Sequence, residues 1–534
     1  MDWDVIVIGS GFGGAIVGSR LAEKGARVLM LERGRWWDSP RNAEALGRSP
    51  YPRGIGDAWV WNQAAPEREN GWIDFRAFPR MSVVQGAAVG GGSLIYANIS
   101  TEAPRAAFDG GWPAEITYDE LKPHYDRVAA FMNVMPIPAG QWTERMAFMQ
   151  RSAEAIGMAE RFRPLELAVS FDPDWRYKAD GSTERVEASS RFVNAQGVEQ
   201  GTCVHLGNCD IGCDADAKNT LDRNYIPMGI RHGMEVRPLH LVRCLEPLAG
   251  GGYTVHVDRI QDGRLVPGRV TATRVVIAAG SLGSTELLLR CRDQHGTLGR
   301  LSPRLGEGWC SNGDFLTPAF YPGRPALHPS KGPTISSAIT FLDGSQGERF
   351  WIEDGGFPNL LADQARKLAG GRIRNLRLKL MVEVLQKLLR AHPEPFPHVM
   401  PWFAQGMDRA EGVMDLRRRF WLFGEKRLRL DWDVESGKAV VDAIVAMHKR
   451  LTEATGGTFH APLNWNVAHQ LVTPHPLGGC NMGRGPTDGV VDHAGKVFGY
   501  EGLYVADGAI IPRALGVNPS RTIGALAERV ASLM

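Results

Sequence analysis

The sequence is poor in cysteine. Seven are scattered over 534 residues, at Cys203, Cys209, Cys213, Cys244, Cys291, Cys310 and Cys480. An odd, sparse set in a chain this long does not make a disulfide framework, and reduced thiols in a reducing compartment are the simpler expectation. An excess of charge is missing too: 61 basic residues face 59 acidic ones, a net charge of +2. Such a balance gives no reason to expect a polyanionic partner such as a nucleic acid. No run of about 18 apolar residues exists, so no membrane span is expected. No fixed period suggests a repeat array. The first strand pattern starts at Asp4, which leaves no room before it for a secretory leader, and a cytoplasmic location is expected.

What is present fits a soluble globular chain, with 43% hydrophobic and 22% charged residues,. The length predicts two large domains. Glycine is abundant, at 63 residues, and much of it falls in short motifs rather than in a linker. Asp4–Ile8 is an apolar run of strand length, residues 13–24 carry helical spacing, and Arg27–Leu31 reads as a second buried strand. Together they make a βαβ unit with parallel, doubly covered strands. A further strand is predicted at Arg274–Ala279 with a helix from about Ser284 to Arg290, and the end of the chain reads strand (Leu503–Ala506), Asp-Gly turn, loop and helix.

The loop of the βαβ unit is Gly9-Ser10-Gly11-Phe12-Gly13-Gly14, which satisfies G-x-G-x-x-G. Gly9 permits the tight turn, Gly11 the approach of a pyrophosphate, and Gly14 close packing of helix on strand. The helix start offers free N–H groups and a positive dipole end to phosphates. Glu32 ends the second strand, where an acid can hold ribose hydroxyls. Its charge disfavours a 2′-phosphate, although Arg33 and Arg35 follow it closely. This fingerprint alone does not separate FAD from NAD.

Three more blocks extend the reading: Gly86-Ala87-Ala88-Val89-Gly90-Gly91-Gly92-Ser93-Leu94; Ala278-Ala279-Gly280-Ser281-Leu282-Gly283-Ser284-Thr285-Glu286-Leu287-Leu288; and His475-Pro476-Leu477-Gly478-Gly479-Cys480, continuing through Tyr504-Val505-Ala506-Asp507-Gly508 to Gly516-Val517-Asn518-Pro519. With these blocks the sequence resembles the glucose–methanol–choline oxidoreductase family and, within it, the cholesterol oxidases. The match covers the beginning, middle and end of the chain and is poor over about 320–460.

The resemblance implies an α/β fold, with a discontinuous Rossmann-type FAD-binding domain (1–45, 80–105, 200–315 and 465–534) and an α+β substrate-binding domain with insertions (46–79, 106–199 and 316–464). It implies that Gly90, Gly91, Gly92 and Ser93 line FAD, with Gly86 in the same block. It places Tyr96, Ala97 and Asn98 near the isoalloxazine, Ala279 and Gly280 at the cofactor, and Asp507 and Gly508 between the last strand and FAD. Asn518-Pro519 looks like a helix start, Asn suiting the cap and Pro the first helical position. The positive end of that helix would stabilise a reduced, anionic flavin.

Alcohol oxidation needs a group that accepts the hydroxyl proton while the carbinol hydride moves to flavin. The resemblance gives that role to His475 and makes Asn518 the residue that hydrogen-bonds the substrate oxygen. An amide that also caps a helix would have to serve both ends. The substrate expected is a bulky, apolar, sterol-like secondary alcohol, oxidised to a ketone, with O2 or a redox carrier as electron acceptor. The alternatives are a flavin dehydrogenase of a different alcohol with an acceptor other than O2, and a non-catalytic flavoprotein.

The sequence departs from the family pattern in two places. Cholesterol oxidases of this type also use a glutamate in the substrate domain, which moves a proton during double-bond isomerisation. Here Ala362 or Asp363 falls near the equivalent place; Glu353 is the other candidate for that role, with a structural part in the Glu-Asp-Gly-Gly turn the preferred reading. The second departure is Cys203-x5-Cys209-x3-Cys213, close to an iron–sulfur spacing but with Leu206 at one position. A cluster would need another ligand, such as His205, so no metal is expected. Finally, 366–390 is basic and amphipathic, which reads as a helix on the substrate domain or as a transient membrane-surface contact.

Overall fold

The strand Trp3–Ile8 is WDVIVI, and Val5, Ile6 and Val7 have no exposed surface. Both of its faces are therefore covered, which is what a run without polar alternation requires. In the computed structural model, which describes residues 1–53, 59–177, 186–323, 326–358, 397–418, 426–460 and 470–534, this strand lies parallel to Val28–Leu31 on one side and to the end of Arg264–Ile277 on the other. Glu235–Arg237 extends the sheet beyond Val28–Leu31, and Leu503–Val505 pairs in parallel with Val275–Ile277. The first half of Arg264–Ile277 instead runs antiparallel to Tyr253–Gln261, which pairs with His240–Pro247. Helices Phe12–Glu23 and Ser520–Leu533 pack on each other beside this sheet.

Three sequence expectations shift here. The strand expected at Arg274–Ala279 is the last part of a 14-residue strand ending at Ile277. The helix after it begins at Gly280 rather than Ser284. The reason is local: Gly280 takes a φ of +82° and makes the turn itself, and the Ser284 hydroxyl accepts the Ala279 N–H at 2.9 Å. The C-terminal helix starts at Ser520, and Pro519 occupies its capping position.

A second, six-stranded antiparallel sheet has the order Thr458–Phe459, Phe315–Phe320, Val399–Gly406, Phe350–Asp354, Ser337–Thr340, Phe162–Pro164. Helix Val434–Ala454, capped by the Asp433 side chain on the Glu435 N–H, lays Val440, Val441, Ile444 and Leu451 against it. A four-stranded sheet, Leu471–Thr473, Met81–Gly86, Ile73–Ala77 and Val60–Trp61, joins residues on both sides of position 80. The fold is thus an α/β dinucleotide-type layer with a separate antiparallel sheet and its helices. Among the described residues no helix is long and apolar enough to cross a membrane. The 366–390 segment and the Ala362–Asp363 pair lie outside the described residues.

Candidate active site

A cavity of about 740 Å³ runs between the two large sheets, from Glu32 and Arg33 at one end to His475 and Asn518 at the other. All of the residues read from the motifs lie on its wall except Gly14, Gly90, Ser93 and Asn98. Those four sit one layer back. A Cβ on Gly14 would meet Gly9 O at 2.0 Å, so its bareness serves helix packing. The Ser93 hydroxyl donates to Gly90 O at 2.7 Å and accepts the Leu221 N–H at 3.1 Å. It braces the glycine loop instead of facing the cavity. Asn98 is buried at a φ of +70°, and neither polar atom of its side chain has a partner.

Two glycines explain how close the backbones come. A Cβ on Gly13 would stand 1.6 Å from Ala506 O, so the helix start can reach the last strand only without one. A Cβ on Gly91 would stand 2.6 Å from Gly11 Cα, at a φ of +53°, so the two glycine loops touch. By contrast, a Cβ on Gly92 would meet nothing within 4 Å, and one on Gly11 only Gly91 Cα at 4.0 Å. Gly11 caps helix Phe12–Glu23 with no side-chain hydrogen bond. The first N–H groups of that helix therefore open onto the cavity, as an anionic diphosphate requires.

Glu32 is 5% exposed and accepts from the Ser10 hydroxyl (2.7 Å), the Ser10 N–H (3.1 Å) and the Gly34 N–H (2.9 Å). Burial pushes its carboxyl above the usual range, and the Ser10 hydroxyl pulls it back. Beside it runs a ladder of ion pairs that the sequence reading missed. Arg33 and Arg76 meet Asp74 at 2.9 and 3.0 Å, and Arg76 and Arg290 meet Glu286 at 2.5 and 2.6 Å. Asp507 holds the middle of the cavity, accepting the Gly280 N–H, the Ala509 N–H and the Ser284 hydroxyl at 2.8, 2.8 and 2.5 Å. The Tyr96 hydroxyl donates to Asn219 O at 2.6 Å, and its ring lies edge-on to Phe12.

The other end of the cavity is assembled from distant parts of the chain. His475 Nδ1 is 2.8 Å from Asp314 Oδ1, and the His475 N–H donates to Thr473 Oγ1 at 2.9 Å. Its Nε2 faces the Asn518 amide nitrogen at 3.5 Å. Leu316, Ile335, Phe403, Val472, Pro474 and Ile523 make the surroundings apolar. Asn518 does not cap the following helix, because Pro519 occupies that position and no side-chain capping bond forms. The conflict expected between capping and substrate contact is thereby removed. Asn518 Oδ1 has no partner.

Glu353 corrects the sequence reading. It lies on strand Phe350–Asp354 rather than in a turn, and it has no exposed surface. Its Oε2 accepts the Gln405 amide at 3.1 Å, whereas its Oε1 has no partner. Burial pushes its carboxyl well above the usual range; the Asp354 and Asp314 charges add to this, while the hydrogen bond from Gln405 acts against it. Asp314 and Gln405 were also missed. No motif marks them, because they become neighbours of His475 and Asn518 only through sheet pairing.

The cysteine block has a different surrounding from the one a cluster needs. His205 is stacked on Trp175 at 4.3 Å, and its ring nitrogens contact the Tyr177 hydroxyl (2.7 Å) and Gln141 Oε1 (3.2 Å). Both are in use, so His205 is not an available ligand. Cys203, Cys209 and Cys213 are free thiols, and burial pushes Cys213 up to about 11.

These features agree with what the chain resembles. The GMC oxidoreductase family models match residues 6–300 and 408–527. A cholesterol oxidase of Mycobacterium tuberculosis is 30% identical, covering 100% of this chain and 91% of the relative, and one of Acinetobacter baumannii is 29% identical, covering 99% and 94%. Among solved structures, pyridoxine 4-oxidase from Mesorbium loti superposes with a TM-score of 0.62 over 99% of both chains at 17% identity. A fungal aryl-alcohol oxidase does so with a TM-score of 0.58, at 16% identity, over 100% of this chain and 98% of that one. The chain belongs to the GMC oxidoreductase family, FAD-dependent enzymes that act on CH–OH donors.

Proposed function

We propose that this enzyme oxidises a bulky, apolar, sterol-like secondary alcohol to a ketone. The observation that carries the reading is the His475–Asn518 pair at the apolar end of a cavity whose other end is an open helix N-terminus beside a buried acid. The full-length likeness to proteins named cholesterol oxidase supports the substrate class. FAD fits the residues present. The bare backbone at Gly11 and Gly92 leaves room beside the helix start, Glu32 would hold the ribose, and Gly280 and Asp507 would flank the cofactor. When bound, the flavin supplies the hydride acceptor.

The protein's own part is to hold and deprotonate the alcohol. His475 Nε2 accepts the hydroxyl proton, and the Asn518 amide donates to the same oxygen, favouring the alkoxide-like charge that develops there. The apolar wall of Leu316, Ile335 and Phe403 excludes water from that charge. Glu353, buried behind Asn518, is the proton carrier for a subsequent double-bond shift in a sterol ketone. O2 or a redox carrier takes the electrons afterwards.

Anaerobic mixing of the holoenzyme with 3β-hydroxysterols, terpene alcohols, fatty alcohols and sugars tests this. Bleaching of the flavin absorbance by the sterols is the expected result. Bleaching by another class alone would overturn the substrate assignment, and bleaching by none would overturn the catalytic one.

A further inference from the structure

Building on the reading of this pocket as an alcohol-oxidising centre, we propose that Asp314 is a positioning residue for His475, fixing its tautomer and supplying the counter-charge when it takes the substrate proton. The Asp314 carboxylate is fully buried and lies 2.8 Å from His475 Nδ1. An ionised carboxylate only accepts, so Nδ1 must carry the hydrogen. A neutral imidazole has one N–H, which leaves Nε2 bare and facing the cavity and the Asn518 amide,. As the alcohol reacts, its O–H bond breaks and an Nε2–H bond forms, while the carbinol hydrogen leaves with its electron pair for the flavin and the C=O bond forms. The imidazolium then sits against Asp314 instead of standing alone among apolar side chains.

The surroundings hold this geometry from both sides. The Thr473 hydroxyl contacts Asp314 Oδ2 and accepts the His475 N–H at 2.9 Å, so one side chain ties acid and base together. Two residues earlier, buried Asn312 fixes the segment leading to Asn518: its Oδ1 accepts the Leu515 and Gly516 N–H groups at 2.9 and 3.0 Å, and its amide donates to Val517 O at 2.9 Å. A single short loop, Ser311–Asp314, thus places both His475 and Asn518. The ionisable groups packed around that loop are Glu353 behind Asn518, Asp408 on Ser311 and the Cys310 thiol next to it; burial pushes all three upward, toward the neutral form, and Arg513 is the cation that acts against this at Cys310.

The test is Asp314→Asn in the holoenzyme. An amide can donate to Nδ1 and so favours the wrong tautomer. The kcat should fall about 100-fold or more, KM for the alcohol should stay within about threefold, and flavin content should not change. Removing the negative charge should also move the acid limb of the kcat/KM profile about one unit to lower pH. Asp314→Glu, which restores the acceptor, should regain at least about tenfold of kcat over the amide variant and return the limb. A merely structural role would lower flavin content or Tm and leave the limb in place. An amide variant with the wild-type limb, or a Glu variant no better than it, overturns the proposal. If Asp314→Asn does not fold, Thr473→Val keeps the charge but cuts the brace and should lower kcat about five- to tenfold, and full activity there is equally fatal. Failure of the wild type to be reduced by any alcohol would instead sink the underlying reading, so the two failures are distinct.

Discussion

The two ends of the cavity are built differently. At the cofactor end the backbone does the work: Gly9–Gly14 and Gly86–Gly92 touch, and side chains are mainly kept out of the way. At the substrate end side chains do the work, and Asp314, Glu353, Phe403, His475 and Asn518 each arrive from a different segment. A backbone site is specified by spacing within one stretch of chain. A side-chain site is specified by which strands pair, and so by the whole fold. The first should therefore fail through loss of the cofactor, and the second through loss of chemistry with the cofactor retained.

The largest effect should come from Gly13→Val. Its first added carbon would overlap Ala506 O, and backbone on both sides leaves neither helix nor strand free to move,. Purified protein should lack the flavin absorbance and show no alcohol oxidation. A yellow, folded Gly13→Val variant would break the contrast at its root.

Next come His475→Ala and Glu353→Gln. Losing a positioned base should cut kcat about 10²- to 10⁴-fold, with flavin content unchanged. Glu353→Gln should spare flavin reduction by a 3β-hydroxysterol but leave the double bond of the product unshifted, as read from its ultraviolet spectrum. Burial holds the Glu353 carboxyl well above the usual range, toward its neutral form. If Glu353→Gln still released a conjugated ketone, the carrier would lie elsewhere.

Legibility in the sequence follows the same division. The βαβ unit and its glycine loop with Glu32 were readable because neighbours in space are neighbours in sequence, whereas the other three blocks were readable through the resemblance. His475 and Asn518 were readable only through the resemblance, 43 residues apart. Glu353 was misread as a turn residue because Glu-Asp-Gly-Gly has turn composition. The strand Phe350–Asp354 instead runs through Glu353 and is buried on both faces, so no alternation marked which side chain faces the site. Asp314 follows Asn-Gly, another turn signal, and nothing local says that it will meet a histidine from residue 475. Residue preference makes Asn518 the cap of a helix that opens at Pro519, and the structure begins that helix one residue later, at Ser520,.

Arg145 sharpens the comparison with a smaller effect. It is fully buried and donates to the carbonyls of Pro329, Pro333, Thr334 and Asp354 at 2.8–3.1 Å. It thereby ties the Pro329–Thr334 loop to the strand that carries Glu353, and Thr334 and Gly355 line the substrate end. Arg145→Met should strand several buried carbonyls and cost about 3 kcal/mol. A lower Tm and a higher KM for the alcohol are expected, with flavin affinity unchanged. Equal loss of flavin would show that the two ends are not separable.

The smallest effect concerns pH. Asp408 Oδ2 accepts the Ser311 N–H (3.0 Å) and hydroxyl (2.8 Å), while its Oδ1 is buried without a partner. Burial pushes this carboxyl up to about 7. The folded state therefore holds a proton that the unfolded chain releases near pH 4. A group raised on folding contributes stability below its unfolded pKa, and that contribution is lost as pH rises through the folded value. The loop that carries Asp314 should thus be firmest near pH 4 and loosen as the pH rises from about 4 to 7. Asp408→Asn places a neutral amide there at every pH, with a nitrogen where Oδ1 now lies unpaired. The fall in Tm across that interval should be smaller in the variant by about 2–4 °C, with flavin binding equally pH-dependent in both proteins. Identical Tm profiles would mean that the Ser311–Asp314 loop is held without regard to this proton, and that the substrate end is as indifferent to pH as the backbone cradle opposite it.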